Sequence, residues 1–242
     1  MPAHLVDLLW RDHPEAPAGS RRGPRARRSV GEVVAAATGL ADRGGLEAVT
    51  VRALASELGV SPMSVYTHVS GRDDLLVLMA DAAHAAYVAA EAPAYGRRGW
   101  RGRVELVAEA NRAMLRRRPW LLDATDERTA LGPGTIAKYD HELRALDPLG
   151  LDDVRRDAAL TFVLDFARAS VRAEEAASRT YAVAGSWSEW GPRLAGYLGD
   201  DFPLAQRVGA AAGEAQDGVR DPDHAWRFGL SRVIDGLAGA AR

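Results

Sequence analysis

A row of hydrogen-bonding side chains between residues 61 and 68 has the types and spacing of a surface that contacts DNA. The row consists of Ser61, Ser64, Tyr66, Thr67 and His68. Residues at the start of a recognition helix contact base edges in the major groove, while the helix before it crosses the phosphates. The same segment contributes further candidates for DNA contact, namely Thr50, Arg52, Pro62 and Met63. We therefore predict that this segment binds DNA.

The residues around this row predict two short helices joined by a tight turn. Thr50 is a good N-cap for a helix over 51–58, whose apolar residues recur at three- and four-residue spacing. Gly59 supplies the left-handed backbone that ends a helix without a Cβ penalty. Ser61 and Pro62 suit the cap and the first position of a second helix over 62–69. The pattern predicts a helix-turn-helix, and the alternative is an ordinary capped helical hairpin.

This segment belongs to a longer resemblance to a known family. Residues 29–79, SVGEVVAAATGLADRGGLEAVTVRALASELGVSPMSVYTHVSGRDDLLVLM, resemble the tetracycline-repressor (TetR) family of regulators. The resemblance implies phosphate contacts for Tyr66 and His68, and for Arg72 at the start of the next helix. Residues 225–241, AWRFGLSRVIDGLAGAA, are similar to the last helix of the tetracycline-repressor subgroup, which helps form a dimeric four-helix bundle. The implied fold is all-α, with an N-terminal helix-turn-helix DNA-binding domain and a larger helical ligand-binding and dimerisation domain.

A cluster of arginines precedes the first helix of this resemblance. It consists of Arg21, Arg22, Arg25, Arg27 and Arg28, with Gly23 and Pro24 opposing a helix. Residues 1–72 hold nine arginines and seven acidic residues, a net charge of +2, which leaves −4 for the rest of the chain. Flexible basic arms lie along phosphates or enter a minor groove. We predict a DNA-binding arm, and the alternative is a solvated tail produced by an arginine-rich composition.

The rest of the chain shows helical patterns and no period-two alternation. The predicted helices run over 29–43, 72–92, 100–118, 135–146, 152–177, 188–198, 204–216 and 222–241. We divide the chain into an N-terminal extension and basic arm (1–28), the helix-turn-helix domain (29–75), and the ligand-binding and dimerisation domain (76–242). The apolar residues between Leu5 and Trp10 form either a short helix that packs on the DNA-binding domain or a partner subunit, or a frayed terminus.

The predicted helix 152–177 is apolar nearly all round, as expected at the centre of a domain. Asp165 interrupts it and is either paired with an arginine or turned toward a polar ligand group, because an unpaired buried carboxylate is costly. Ligand pockets are mostly apolar and aromatic with a few polar groups. The candidate ligand-binding residues are Asn111, Trp120, Tyr139, Phe162, Asp165, Phe166, Trp187 and Trp190. Plain core packing is the alternative for each aromatic residue, and we expect His84 to be partly exposed.

Composition and motifs argue against other classes of protein. The 242 residues include no cysteine, so disulfides and thiolate metal sites are excluded, and the six histidines lack metal-ligand spacing. We predict no metal and no cofactor. No nucleophile-elbow, phosphate-loop or dinucleotide-loop pattern occurs, so we do not expect an enzyme. No apolar run is long enough to span a membrane and no secretory pattern occurs, so we expect a cytoplasmic protein without a membrane partner.

Together with these patterns, the resemblance to the tetracycline-repressor family implies a homodimeric, ligand-responsive transcriptional repressor. The expected partners are double-stranded operator DNA, a small-molecule effector that releases the protein from DNA, and a second copy of the chain. Because a two-fold dimer presents two identical recognition helices, the operator should be palindromic. The alternative function is a ligand-independent architectural DNA-binding protein.

Overall fold

The computed structural model describes residues 3–16, 28–66, 68–124, 131–184, 187–215 and 221–240, with side chains except at 3, 4, 179–184, 187–190 and 240. Within these ranges all regular structure is helical, which confirms the predicted all-α fold. The helices are α1 (Ala3–Leu9), α2 (Val30–Gly44), α3 (Val51–Leu58), α4 (Pro62–Val65), α5 (Arg72–Ala90), α6 (Trp100–Arg117), α7 (Leu121–Ala124), α8 (Pro133–Leu143), α9 (Asp153–Ala184), α10 (Trp187–Leu198), α11 (Pro203–Ala215) and α12 (Pro222–Ala240). Short 3-10 helices run over Leu46–Ala48 and Arg144–Leu149. None of the described helices is long and apolar enough to cross a membrane.

The chain divides into two compact units, Met1–Thr161 and Phe162–Arg242. The first unit contains α1 to α8 and the start of α9, so it holds both the helix-turn-helix and the helices that follow it. The second unit contains the rest of α9 and α10 to α12. The division falls within α9, and the domain limits proposed from the sequence at residues 28 and 75 stay a prediction.

Helix α2 begins at a capping box that the sequence encodes locally. The Ser29 hydroxyl accepts a hydrogen bond from the Glu32 backbone N–H, and the Glu32 carboxylate accepts one from the Ser29 N–H. A hydrogen bond from the Arg28 guanidinium holds the pKa of Glu32 below its ordinary value. The box therefore fixes the helix start at Val30, and Gly45 ends the helix with a positive φ of 68°.

Helices α5 and α8 pack closely through a contact that needs glycine. Both oxygens of the buried Asp81 carboxylate on α5 accept hydrogen bonds, from the backbone N–H groups of Gly134 and Thr135 at the start of α8. A Cβ at Gly134 would lie 2.2 Å from the Asp81 carbonyl oxygen. His84 is buried beside this contact and shares a 2.9 Å hydrogen bond with the Thr135 hydroxyl. The expectation that His84 is partly exposed was wrong, because α8 covers this face of α5.

The N-terminal apolar residues form a helix that packs on α5. Leu5 and Leu9 of α1 are buried, and the indole N–H of Trp10 donates to the Leu131 carbonyl oxygen over 2.8 Å. A short helix is observed rather than a frayed terminus, but it packs on α5, most of which lies beyond the predicted DNA-binding domain. The hydrogen bond from Trp10 to Leu131, just before α8, joins residues that are 121 positions apart in the sequence.

Helix α9 buries one face rather than its whole circumference. Leu160, Val163, Ala167 and Val171 are buried at three- and four-residue spacing, whereas Asp165 is exposed and Phe162 is 53% exposed. The expectation of a helix that is apolar all round was therefore wrong. Asp165 was a candidate for pairing or ligand contact because a buried carboxylate without a partner is costly. At an exposed position this cost does not arise.

Candidate DNA-binding surface and buried polar cluster

The helix-turn-helix, residues 50–66, is built from short-range signals. The Thr50 hydroxyl accepts a hydrogen bond from the Ala53 N–H, which caps α3. Gly59 adopts the left-handed conformation, with φ 65° and ψ 39°, and its N–H bonds back to α3. Pro62 occupies the first turn of α4, and Val65 turns inward to a position only 2% exposed. These contacts confirm the predicted pair of helices with its cap at Thr50, its turn at Gly59 and its core residue Val65, whereas Ser61 occupies the N-cap position of α4 without a capping hydrogen bond from its side chain.

The outward side of α4 carries large exposed side chains. Met63 is 76% exposed and Tyr66 is 56% exposed, although a folded core normally covers residues of this size. The hydroxyls of Ser61 and Ser64 lie 2.9 Å apart and His68 is half-buried, while Thr67 lies outside the described residues. Helix α4 ends at Val65 rather than near residue 69, because the backbone N–H of Tyr66 bonds to the Ser64 carbonyl oxygen, two residues back, instead of continuing the α-helical pattern. The surface is suited to external contact, and the contacts proposed for it stay predictions.

Two of the basic side chains predicted to contact DNA, Arg28 and Arg72, donate to backbone carbonyl oxygens within the helix-turn-helix or just before it. Arg28 donates through Nε and Nη2 to the Leu58 carbonyl oxygen at 3.1 and 2.8 Å, which satisfies the end of α3. Arg72 donates to the carbonyl oxygens of Val49 and Leu46, which ties α5 to the turn before α3. Arg52 is exposed on α3. The four remaining predicted arm residues, Arg21, Arg22, Arg25 and Arg27, lie outside the described residues.

The ligand-binding candidates named from the sequence are divided between the two units, and their role in ligand binding stays a prediction. The Trp120 indole N–H donates to Asp42 at 2.7 Å, and the Tyr139 hydroxyl donates to Asp157 at 2.7 Å on the surface. Phe166 stacks on Trp226 in the second unit, with ring centroids 5.0 Å apart. Asn111 is buried elsewhere, in the first unit. Phe162 and Asp165 are exposed as described above, and the side chains of Trp187 and Trp190 lie outside the described set.

Asn111 belongs to a buried polar cluster that the sequence analysis did not identify. We use this name for Tyr87, Asn111, Lys138 and Glu142, which come from α5, α6 and α8. The Asn111 amide donates to one Glu142 carboxylate oxygen at 2.6 Å, and the Lys138 ammonium donates to the other at 2.7 Å. The ammonium also lies 5.6 Å from the centroid of the Tyr87 ring. One signal was available, because Lys138 is the only lysine and stands four residues before Glu142.

The Tyr87 hydroxyl is buried without a hydrogen-bond partner. Burial, followed by the nearby charge of Glu142, raises the pKa of this phenol well above its ordinary value, so the hydroxyl keeps its proton. A buried donor without a partner is unusual in a folded protein and costs free energy. The cluster therefore offers one hydrogen-bond donor that the protein itself does not use.

An aromatic pair joins the segment between α5 and α6 to α8. Tyr95 stacks on His141 with ring centroids 4.9 Å apart, and its hydroxyl donates to the His141 carbonyl oxygen at 3.0 Å. Burial is the main cause that raises the pKa of Tyr95 above its ordinary value. The Nε2 atom of His141 is also buried without a partner. Tyr87 and His141 are therefore two of the residues of the first unit whose buried polar atoms lack a hydrogen-bond partner among the described residues.

The second unit exposes apolar side chains on α9 and on α12, the helix that contains the segment similar to a dimer-forming one. Phe228 of α12 is 62% exposed, and Phe162 of α9 is more than half exposed. The helices approach closely at Gly229, where a Cβ would lie 2.5 Å from the Phe166 ring. Beside this contact a groove of about 510 Å³ is lined by residues that include Phe166, Ala169 and Trp226. Exposed apolar surface of this kind is typical of a protein contact.

Family models match most of the chain. Residues 33–79 match the model described as bacterial regulatory proteins of the tetR family, and residues 92–240 match the tetracyclin repressor-like C-terminal domain. The chain is also similar to the HTH-type transcriptional repressor DrrR1 of Streptomyces coeruleorubidus, with 36% identity over 242 residues, covering 97% of this chain and 85% of DrrR1.

The fold is similar to solved structures of ActR, a TetR family protein of Streptomyces coelicolor. The complex of ActR with actinorhodin superposes with a TM-score of 0.70 and 28% identity, covering 90% of this chain and 99% of that one. Its complex with (S)-DNPA gives a TM-score of 0.68 and 26% identity, covering 88% of this chain and 98% of that one. With its capped helix-turn-helix, its all-helical body and these matches over nearly its whole length, the chain belongs to the TetR family of transcriptional regulators.

Proposed function

We propose that this regulator is a homodimeric repressor that binds a palindromic operator and leaves it when a small molecule binds the larger helical domain. The observation that carries the proposal is the outward side of α4, where Met63 and Tyr66 are exposed while Val65 anchors the helix in the core. A helix held so firmly from one side can enter a major groove without rearranging. The repressor assignment is supported by the similarity to DrrR1.

Two-fold symmetry sets the expected shape of the operator. A dimer presents two copies of α4, and half-sites for such motifs are separated by about one DNA turn, roughly 34–36 Å. The contact between copies is proposed for the exposed apolar surface of α9 and α12, which includes Phe162 and Phe228. Burial of these side chains in a dimer would remove apolar area from water and stabilise the association.

The effector is proposed to bind beside the buried polar cluster of the first unit. The unpartnered Tyr87 hydroxyl would donate to an acceptor on the effector, and the Asn111 and Lys138 groups already hold Glu142 in a fixed orientation. The ActR structures with actinorhodin and with (S)-DNPA support small-molecule binding in this fold. Release from DNA requires that the effector bind the non-binding conformation more tightly, because equal affinity for both states shifts nothing.

The DNA-binding part is tested with an operator selected from random duplexes by the purified protein. We expect Tyr66→Ala to weaken operator binding by about tenfold, the equivalent of one good hydrogen bond, with an unchanged circular dichroism spectrum. Tyr197→Ala is the matched control, because Tyr197 is 83% exposed and lies on α10, far along the chain from the helix-turn-helix. Equal losses in the two variants, or none in either, would place the DNA-binding surface elsewhere.

The effector response is tested by thermal-shift screening followed by titration of the best ligand into free and operator-bound protein. A ligand that binds only the native state raises the melting temperature. Linkage requires that operator DNA lower the affinity for the ligand by the same factor by which the ligand lowers the affinity for DNA. Identical dissociation constants for free and DNA-bound protein would refute induction and leave the alternative of a ligand-independent DNA-binding protein.

Light scattering of the free protein tests the proposed dimer by measuring its molecular mass in solution. A monomeric mass at the concentration used for operator binding would contradict it.

A further inference from the structure

A cavity of about 730 Å³ lies in the first unit between α1, α2 and α5, and we call it the junction cavity. Its walls include Trp10 after α1, Val34 and Thr38 of α2, Leu78 of α5, and Arg118 after α6. Small-molecule sites span about 300–1,000 Å³, so the volume suits a ligand rather than a single water. None of the four residues of the buried polar cluster lines it.

Two of the lining residues carry buried polar atoms without a hydrogen-bond partner. They are the hydroxyl oxygen of Thr38 and the Nη1 atom of Arg118. The guanidinium can only donate, and a hydroxyl both donates and accepts. Buried donors are almost always satisfied in folded proteins. Each of these two groups can therefore donate to a hydrogen-bond acceptor.

The charges around the junction cavity select against an anion. The Arg118 guanidinium lies 3.4 Å from Asp42, so its charge is already compensated. The Asp81 carboxylate is another lining group, and two backbone N–H groups of α8 satisfy its oxygens. Arg11 and Asp12, which also line the junction cavity, lie 3.5 Å apart and offset each other. With three lining carboxylates against two guanidiniums, an acidic ligand would meet net repulsion.

The remaining walls are small and apolar. Ala35, Ala82 and Ala86 are among the lining residues and leave space for a ring system of moderate size. Trp10 closes one side, and its indole N–H is already used by the Leu131 carbonyl oxygen. The indole ring therefore contributes an apolar surface rather than a hydrogen bond.

We propose that the junction cavity is a binding site for a neutral, largely apolar small molecule with an acceptor oxygen, such as a carbonyl, that bonds to Thr38 and Arg118. The site is separate from the effector site proposed beside the buried polar cluster, and binding here does not depend on it. Helix α2 belongs to the part of the chain that matches the DNA-binding family model, and α5 directly follows the helix-turn-helix. A ligand in the junction cavity touches both.

The probe for the test is Nile red, a neutral aromatic dye with a ring carbonyl, titrated into the full-length protein and followed by its fluorescence blue shift. We expect one dye per chain. Ala82→Trp and, from the facing helix, Ala35→Trp should each weaken binding by about tenfold or more, because an indole takes the volume of the dye. Thr38→Val should weaken binding by about twofold to tenfold through the loss of one hydrogen bond, without lowering the melting temperature.

Ala89→Trp is the matched control, because Ala89 is exposed on α5 and does not line the junction cavity. It should bind the dye as the unmodified protein does. Circular dichroism establishes that each variant is folded, and two blocking variants on different helices guard against one failing to fold. No dye binding by the unmodified protein, binding that survives both tryptophans, or equal losses in Ala89→Trp would each overturn the proposal.

Discussion

The ion pair between Lys138 and Glu142 should be the most sensitive polar contact of the first unit. The ammonium and the carboxylate are 2.7 Å apart, and their side chains are 8% and 1% exposed. Lys138→Met keeps a flexible apolar stem of similar length but removes the ammonium, so that among the described contacts the Asn111 amide remains on Glu142. Breaking a buried pair on one side costs about 3–5 kcal/mol, because the remaining charge is uncompensated. We expect a fall of about 6–20 °C in melting temperature, at about 2–4 °C per kcal/mol for a chain of this size.

A second pair, which begins on the same helix, provides the control. Arg144 and Asp140 are also 2.7 Å apart with the same four-residue spacing, but both side chains are about two-thirds exposed, at 65% and 64%. Exposed pairs contribute about 0–1 kcal/mol, so Arg144→Met should shift the melting temperature by only a few degrees. The two substitutions remove the same kind of charge from pairs of the same spacing, and the main difference between the pairs is burial.

The double variant Lys138→Met with Glu142→Gln separates charge from packing. The introduced glutamine side chain is neutral and can still accept from the Asn111 amide, so most of the loss should be recovered, because replacing a buried pair by neutral groups is often close to neutral. Urea titrations at a fixed protein concentration would give the free energies of unfolding of the unmodified protein, of Lys138→Met, of Glu142→Gln and of the double variant, and from these four values the coupling energy of the pair. A loss in Lys138→Met no larger than in Arg144→Met, or no recovery in the double variant, would refute the reasoning.

Three further outcomes are expected. Tyr87→Phe should be as stable as the unmodified protein or more stable at pH 7, because it removes an unpartnered buried hydroxyl. The raised pKa of Tyr87 also means that the unfolded chain loses this proton near pH 10 while the folded one keeps it, so stability falls as pH rises above 10, by about 1.4 kcal/mol per pH unit. Tyr87→Phe should lack this part of the slope in urea melts from pH 9 to 11, and an identical slope would contradict the burial of the phenol. Gly134→Ala should destabilise the protein by about 1–3 kcal/mol, because the added Cβ clashes with α5. Gly102→Ala is the control and should be neutral or slightly stabilising, because only a flexible arginine lies near this position. Calorimetry that finds Gly102→Ala less stable than Gly134→Ala would refute the close approach of α8 to α5. Replacing the four arm residues Arg21, Arg22, Arg25 and Arg27 with alanine should flatten the dependence of log operator affinity on log salt by about 0.9 for each lost phosphate contact, and an unaltered slope would leave the arm without a role in DNA binding.

The helix-turn-helix was readable from the sequence because its determinants are local. Thr50 bonds to the backbone three residues away, Gly59 ends α3 by its own backbone conformation, and Pro62 starts α4 from its own fixed φ. Each signal acts within one helical turn, so no knowledge of distant residues was needed. The starts and ends of α2, α3, α5 and α6 agreed with the predictions to within two residues for the same reason.

The buried polar cluster and the junction cavity were decided by tertiary structure. Asn111 meets Glu142 across 31 positions, and Trp10 meets Leu131 across 121, distances over which residue spacing carries no geometric information. Apolar content alone also failed to show which face of α9 is buried, so Asp165 was placed inside when it lies outside. Local backbone chemistry therefore determined which segments are helices and where the helix-turn-helix lies. Tertiary packing decided which polar groups are buried, which of them lack partners and where the cavity forms, because these features depend on how α1, α2, α5, α6 and α8 meet.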